Sequence, residues 1–160
     1  MGHLRIQRPY RKPLHPGDAF SLQYGEARFL FGRIVAVDVA FGGFQSGCIG
    51  VHVYRAESRS AELPVGLIES DLLIAPHDVN RLGFSRGYMP VIGSIPLCAA
   101  DRRTDVCYRD AIRNRLVDDS GSPVDQPRRF IGCFGMGNFM TLDEEISRAL
   151  GLPLESEASS

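Results

Sequence analysis

A mainly β, α+β fold, in which a strongly bent antiparallel sheet or partial barrel carries a C-terminal helix, is predicted by three features of the sequence. Residues 27–40 hold Phe29-Leu-Phe-Gly-Arg-Ile-Val-Ala-Val-Asp-Val39, a β-branched and aromatic run that is apolar on both alternating faces. Short alternating segments bounded by Gly, Pro and Asp follow it. Only residues 142–150 combine helical spacing with start and stop signals at both ends.

Residues 18–23 and 27–40 read as a hairpin with Gly25 in its turn. Phe41-Gly-Gly-Phe-Gln-Ser-Gly47 reads as a glycine-rich loop. In residues 48–55, Ile49, Val51 and Val53 alternate with Gly50, His52 and Tyr54, the pattern of a half-buried third strand. Further short strands are expected at residues 72–75, 88–92, 105–108 and 129–134, separated by turns such as Asp118-Asp-Ser-Gly-Ser-Pro123. Helical turns are expected at residues 65–70 and 78–82. The C-terminal helix should start at the capping box Thr141-Leu-Asp-Glu144, with Asp143 to Glu145 at the positive end of its dipole, and stop at Gly151 and Pro153.

A chain of 160 residues is expected to form one domain, here residues 17–151. Residues 1–16, with Arg5, Arg8, Arg11 and Lys12 among three prolines, read as a basic extended arm, and residues 152–160 as an acidic, serine-rich tail. A hydrophobic fraction of 44% and a charged fraction of 23% exclude a disordered chain or a rod. The net charge of −1 provides no global attraction for nucleic acid or anionic membrane. No apolar stretch approaches the roughly 18 to 20 residues that span a bilayer, and the N-terminus has no secretory pattern, so a cytoplasmic protein is expected. Cys48, Cys98, Cys107 and Cys133 lack the paired spacing of zinc or redox motifs and are expected to be reduced, mostly buried thiols.

Each catalytic pattern meets a physical objection. Gly83-Phe-Ser-Arg-Gly87 matches the turn that exposes a nucleophilic serine, but all four histidines, at positions 3, 15, 52 and 77, precede Ser85. Gly132-Cys-Phe-Gly-Met-Gly137 lies between a strand and a helix, yet its spacing is not that of a dinucleotide loop and Asp143, Glu144 and Glu145 would repel a phosphate. His77-Asp78 could belong to a metal or acid-base site and His52 falls between apolar neighbours; both histidines are read as structural, since no further ligand stands at workable spacing. No catalytic residue, metal or cofactor is assigned.

In order, Pro16-Gly-Asp-Ala-Phe20, Phe29-Leu-Phe-Gly-Arg-Ile-Val35, Leu72-Leu-Ile-Ala-Pro76, Tyr88-Met-Pro-Val-Ile-Gly93, Leu116-Val-Asp-Asp-Ser-Gly121 and the segment from Thr141 to Leu150 resemble the immunity protein 26 family of bacterial polymorphic toxin systems. The resemblance covers about residues 16–151. It implies a non-catalytic cytosolic protein that binds and neutralises one cognate toxin, expected to be encoded by an adjacent gene, with no membrane, nucleic-acid or small-molecule partner. Gly17, Asp18, Phe20, Gly32 and Arg33 then serve the fold rather than the contact.

Toxin-binding residues are expected where exposure and interface chemistry coincide. Phe41 and Phe44 either fold back onto the sheet or stand beside Tyr54 and Arg55 as a binding patch, with Asp118, Asp119 and Asp125 offering charge to a basic toxin. The competing class is a small-barrel nucleic-acid-binding module or a small enzyme, with the basic arm, Arg128 and Arg129 tracking phosphates.

Overall fold

The computed structural model describes residues 2–41 and 44–154; the side chains of residues 40, 41 and 44–46 lie outside the description. Among the described residues eight strands form two sheets. The larger contains β1 (Asp18–Gly25), β2 (Arg28–Phe41), β3 (Phe44–Ser58), β4 (His77–Val79) and β5 (Val91–Ser94) in the antiparallel order β4-β3-β2-β1-β5. The smaller contains β6 (Val106–Asp110), β7 (Arg115–Val117) and β8 (Phe130–Cys133) in the order β7-β6-β8, and its β6–β8 pair is parallel. A one-turn helix α1 (Leu82–Ser85) and the C-terminal α2 (Phe139–Ala149) complete the described fold. The larger sheet ends in two edges, β4 and β5, and does not close into a barrel.

β2 and β3 are apolar on both faces because the sheet is covered on both. Cross-strand pairing puts Ile34 opposite Val51 on one face and Arg33 opposite His52 on the other. The first face, with Leu22, Leu30, Val53 and Val79, packs against Phe84, Leu142 and Ile146 of the helices. On the second face Phe31, Tyr54, Leu67 and Leu72 form a smaller core that Phe130 of β8 joins. Register shifts interrupt the β2–β3 ladder between Ala36 and Val39, where Asp38 has a φ of 53°. Bulges of this kind bend a sheet, which accounts for the curl that the two cores require.

Several boundaries differ from the sequence expectation. The glycine-rich segment is largely strand: β2 runs to Phe41 and β3 starts at Phe44, extending the hairpin beyond residues 40 and 48. Residues 72–75 contribute a single bridge, Tyr54 to Leu72, and the strand falls instead on residues 77–79. Helix α2 begins three residues before the expected start, since Asn138 is its cap; the Asn138 side chain accepts from the backbone N–H groups of Met140 and Thr141, and the Thr141 hydroxyl accepts from Asn138 N–H at 2.9 Å. Asp143 consequently lies one turn further into the helix, and it is buried. It accepts hydrogen bonds from the Tyr24 hydroxyl at 2.9 Å, the Ser147 hydroxyl at 3.0 Å and Leu4 N–H at 3.3 Å.

The basic N-terminal segment lies on the sheet and α1. Leu4 and Leu14 are buried, Arg5 N–H reaches Gln23 O at 2.9 Å, Gln7 N–H reaches Gly87 O at 2.8 Å and Tyr10 N–H reaches Phe84 O at 2.9 Å.

Candidate functional site

The family-motif residues work together beneath one wall of a cleft. Gly17 takes a φ of +97°, which glycine adopts without strain, and its N–H and carbonyl bind Ile34 O and Ile95 N–H. Asp18 accepts from His15 N–H at 2.8 Å and closes the turn into β1. Phe20 lies over Gly32, where an added Cβ would stand 2.4 Å from the Phe20 ring and 2.7 Å from the His52 carbonyl. Arg33 is fully buried; it donates to the Tyr54 hydroxyl at 3.1 Å, to the carbonyls of Ile95 and Pro96 at 2.9 and 3.2 Å, and to the carboxylate of Asp101. A buried guanidinium is tolerable because these acceptors satisfy it. Asp101 also accepts from Cys98 N–H, so Arg33 fixes the whole segment 95–101 against the sheet.

That segment, the second face of β3 and β4, and the smaller sheet enclose a cleft of about 920 Å³. Its lining includes His52, Asp78, Tyr108, Arg103, Arg128 and Asp119. Asp78 pairs with Gly50 across the β3–β4 ladder, and His52 follows two residues along on the same face. Burial pushes the His52 pKa down to about 4, with the nearby Asp101 opposing the fall, and raises that of Asp78 to about 6. Tyr108 is pushed up to about 12, first by burial and then by the charges of Asp78 and Asp119. The cleft thus holds a neutral imidazole, a carboxylate and a phenol. His77 faces the other way, its Nε2 lying 3.0 Å from the Thr141 hydroxyl of α2, and burial also lowers its pKa to about 4.

One charge network ties the smaller sheet in place. Arg103 and Arg129 lie over the Phe130 ring, at 5.1 and 4.7 Å from its centroid. Arg103 pairs with Asp105 at 2.8 Å, and Arg129 with Asp71, whose carboxyl that contact holds below the usual carboxylate range.

The predicted toxin-binding residues differ in burial. Tyr54 is buried, because strand alternation turns it toward Arg33 and the second core, and this corrects its place in an exposed patch; its neighbour Arg55 is exposed. Asp118 is half-buried and receives Ser120 and Ser122 N–H at 3.0 and 2.9 Å, which makes it part of its own turn. Asp119 and Asp125 are exposed, and Asp119 alone of this set lines the cleft. The side chains of Phe41 and Phe44 lie outside the described residues, although their backbones pair at the end of the β2–β3 hairpin.

The remaining motifs resolve into packing. Ser85 ends α1 and donates to Leu82 O at 3.3 Å, while Gly87 makes the following turn with a φ of +96°. Gly137 lets the loop before α2 approach β4: its N–H reaches Asp78 O at 2.8 Å, and a Cβ there would meet His77 Nε2 at 2.8 Å. Cys48 and Cys107 are buried as expected, whereas Cys98 and Cys133 are exposed, and no disulfide joins the four. Among the described residues no three His, Cys, Asp or Glu side chains are grouped as a metal site would need, and no helix is long and apolar enough to cross a membrane.

In the sequence His52 and Asp78 stand in separate patterns, and no motif singles out Tyr108. Their convergence depends on β4 pairing with β3 and on the second sheet folding over both, and no local spacing encodes either contact.

No curated protein and no solved structure matches the chain. A family model described as Immunity protein 26 matches residues 15–118, which run from the turn before β1 to the end of β7 and contain the whole five-stranded sheet, and the chain belongs to that family.

Proposed function

We propose that this chain is a cytoplasmic immunity protein that binds and neutralises one cognate bacterial toxin, the product of an adjacent gene, by direct protein contact and without catalysis. The observation that carries the reading is the family match over residues 15–118, which spans every strand of the larger sheet. The local chemistry supports it: Ser85 and Gly137, which belong to the serine-nucleophile and phosphate-loop patterns, are engaged in turns and packing. Arg55, Asp119 and Asp125 remain proposed contact residues on exposed parts of the surface, and Phe41 and Phe44 remain proposed as its apolar component.

Co-expression with the toxin domain encoded next to this gene tests the proposal. Cells should survive only when this chain is present, and the two proteins should co-elute as a stable complex. Survival without a complex would overturn direct neutralisation. Retention on nucleic acid with a steep salt dependence, in place of toxin binding, would favour the nucleic-acid-binding class.

A further inference from the structure

The floor of the cleft carries acceptors that the protein itself does not satisfy. Asp78 is half-buried, and among the described residues its carboxylate receives no hydrogen bond and forms no ion pair. His52 is only 5% exposed, and its imidazole has no hydrogen-bond partner among the described residues either. The Tyr108 hydroxyl is in the same position. Since no sealed side-chain polar atom lacks a partner among the described residues, these groups open onto the cleft. The missing side chain at Gly50 keeps space beside the carboxylate: a Cβ there would stand 3.2 Å from Asp78 Oδ1.

The cations around the cleft are paired, bonded to backbone or solvated. Arg103 is paired with Asp105, Arg128 donates to Val106 O at 2.9 Å and Arg102 is exposed to water. An entering group therefore has to supply donors to the carboxylate, and the neutral imidazole and the phenol, each able to accept as well as donate, can take further N–H groups beside it. A guanidinium supplies them, having five N–H donors in one plane, no acceptor and weaker hydration than an ammonium.

We infer that the cleft is a socket for one arginine side chain of the bound toxin, with Asp78 as charge partner and His52 and Tyr108 as flanking acceptors. Asp119 adds negative charge at the cleft. Arg102 and Arg128 disfavour a run of cations, so the fitting segment presents a single arginine among neutral or acidic residues. The inference deepens the proposed immunity function and rests on it for the identity of the partner.

Two measurements separate the socket from the partner. In the first, N-acetylarginine methylamide at millimolar concentration should shift the His52 and Tyr108 ring resonances of the protein alone. The lysine analogue should do so more weakly, and Asp78→Asn should abolish the effect. In the second, Asp78→Asn should weaken binding of the adjacent-gene toxin domain by roughly thirtyfold or more without lowering the melting temperature, and His52→Leu should weaken it in the same direction. Wild-type affinity in folded Asp78→Asn, or arginine amide shifts that persist in that variant, would overturn the socket. Failure of the wild-type protein to bind the toxin domain would overturn the immunity reading instead, whatever the amide does.

Discussion

Gly32 has no side chain because Phe20 occupies the space where one would begin, and the constraint acts from two sides. The Phe20 ring could yield, but the His52 carbonyl at 2.7 Å belongs to the neighbouring strand and can move only by parting the β2–β3 ladder. Gly32→Ala is expected to destabilise the protein by about 1 to 3 kcal/mol, the ordinary range for overpacking, read as a lower denaturant midpoint with an unchanged slope. Equal stability would show that the hairpin adjusts freely at this point. Arg33 raises the opposite problem. Arg33→Ala strands the Asp101 carboxylate and two carbonyls, and a loss of about 3 to 5 kcal/mol is expected. Arg33→Lys should recover only part of it, because an ammonium cannot span Tyr54, Asp101 and the two carbonyls in one plane.

At the scale of elements, the segment 95–101 has no strand partner between Gly17 and the 3-10 turn at Ala99–Asp101, so its position depends on side-chain bonds. Asp101→Asn should keep the fold while raising amide hydrogen exchange selectively in residues 95–102, and protection equal to that of the wild type would contradict the wall-fixing role of the Arg33 bond. Helix α2 shows how a correct motif can be read in the wrong frame. Thr141 does take part in a capping box, but as its N3 member, with Asn138 as the cap. Asn138→Ala should cost about 1 kcal/mol, and Thr141→Ala should cost a comparable amount, since it removes the reciprocal bond from Asn138 N–H together with the contact to His77 Nε2. The shift could have been inferred from Asn138 and Phe139, an acceptable cap followed by an apolar residue that stacks on Tyr88 at 4.3 Å. Asp143 reads as a dipole charge in the sequence, where nothing local signals that Tyr24 and Leu4 converge on it.

For the whole molecule, the buried titratable groups set the response to acid. His52 and His77 have pKa values lowered by burial to about 4, so below their ordinary value of 6.5 the unfolded chain binds protons that the folded protein refuses. Each contributes stability above about pH 6.5 that is lost progressively toward pH 4. Asp78 acts in the opposite sense, since its raised value of about 6 makes the folded state the better proton acceptor down to 3.8. Two histidines outweigh one carboxyl, and a net loss of about 1 to 3 kcal/mol is expected between roughly pH 7 and pH 4.5. His77→Gln should remove much of that loss, and Asp78→Asn should deepen it. A wild-type stability that rises on acidification over this interval would reverse the assignment.

The sequence by itself determined what depends on near neighbours along the chain. The apolar strand over residues 27–40 and the terminal helix follow from propensity, side-chain period and capping, and the ordered motifs from Pro16 to Leu150 resemble the family to which the chain belongs. Only the tertiary structure decided the rest. It turned Tyr54 inward, paired β8 parallel to β6 across a long connection, and set His52, Asp78 and Tyr108 around one cleft. The physical reason is that local propensity acts over a few residues, whereas the burial that shifts these groups and the wall that confines them are built by segments far apart in the chain, meeting only when both faces of the central sheet are covered.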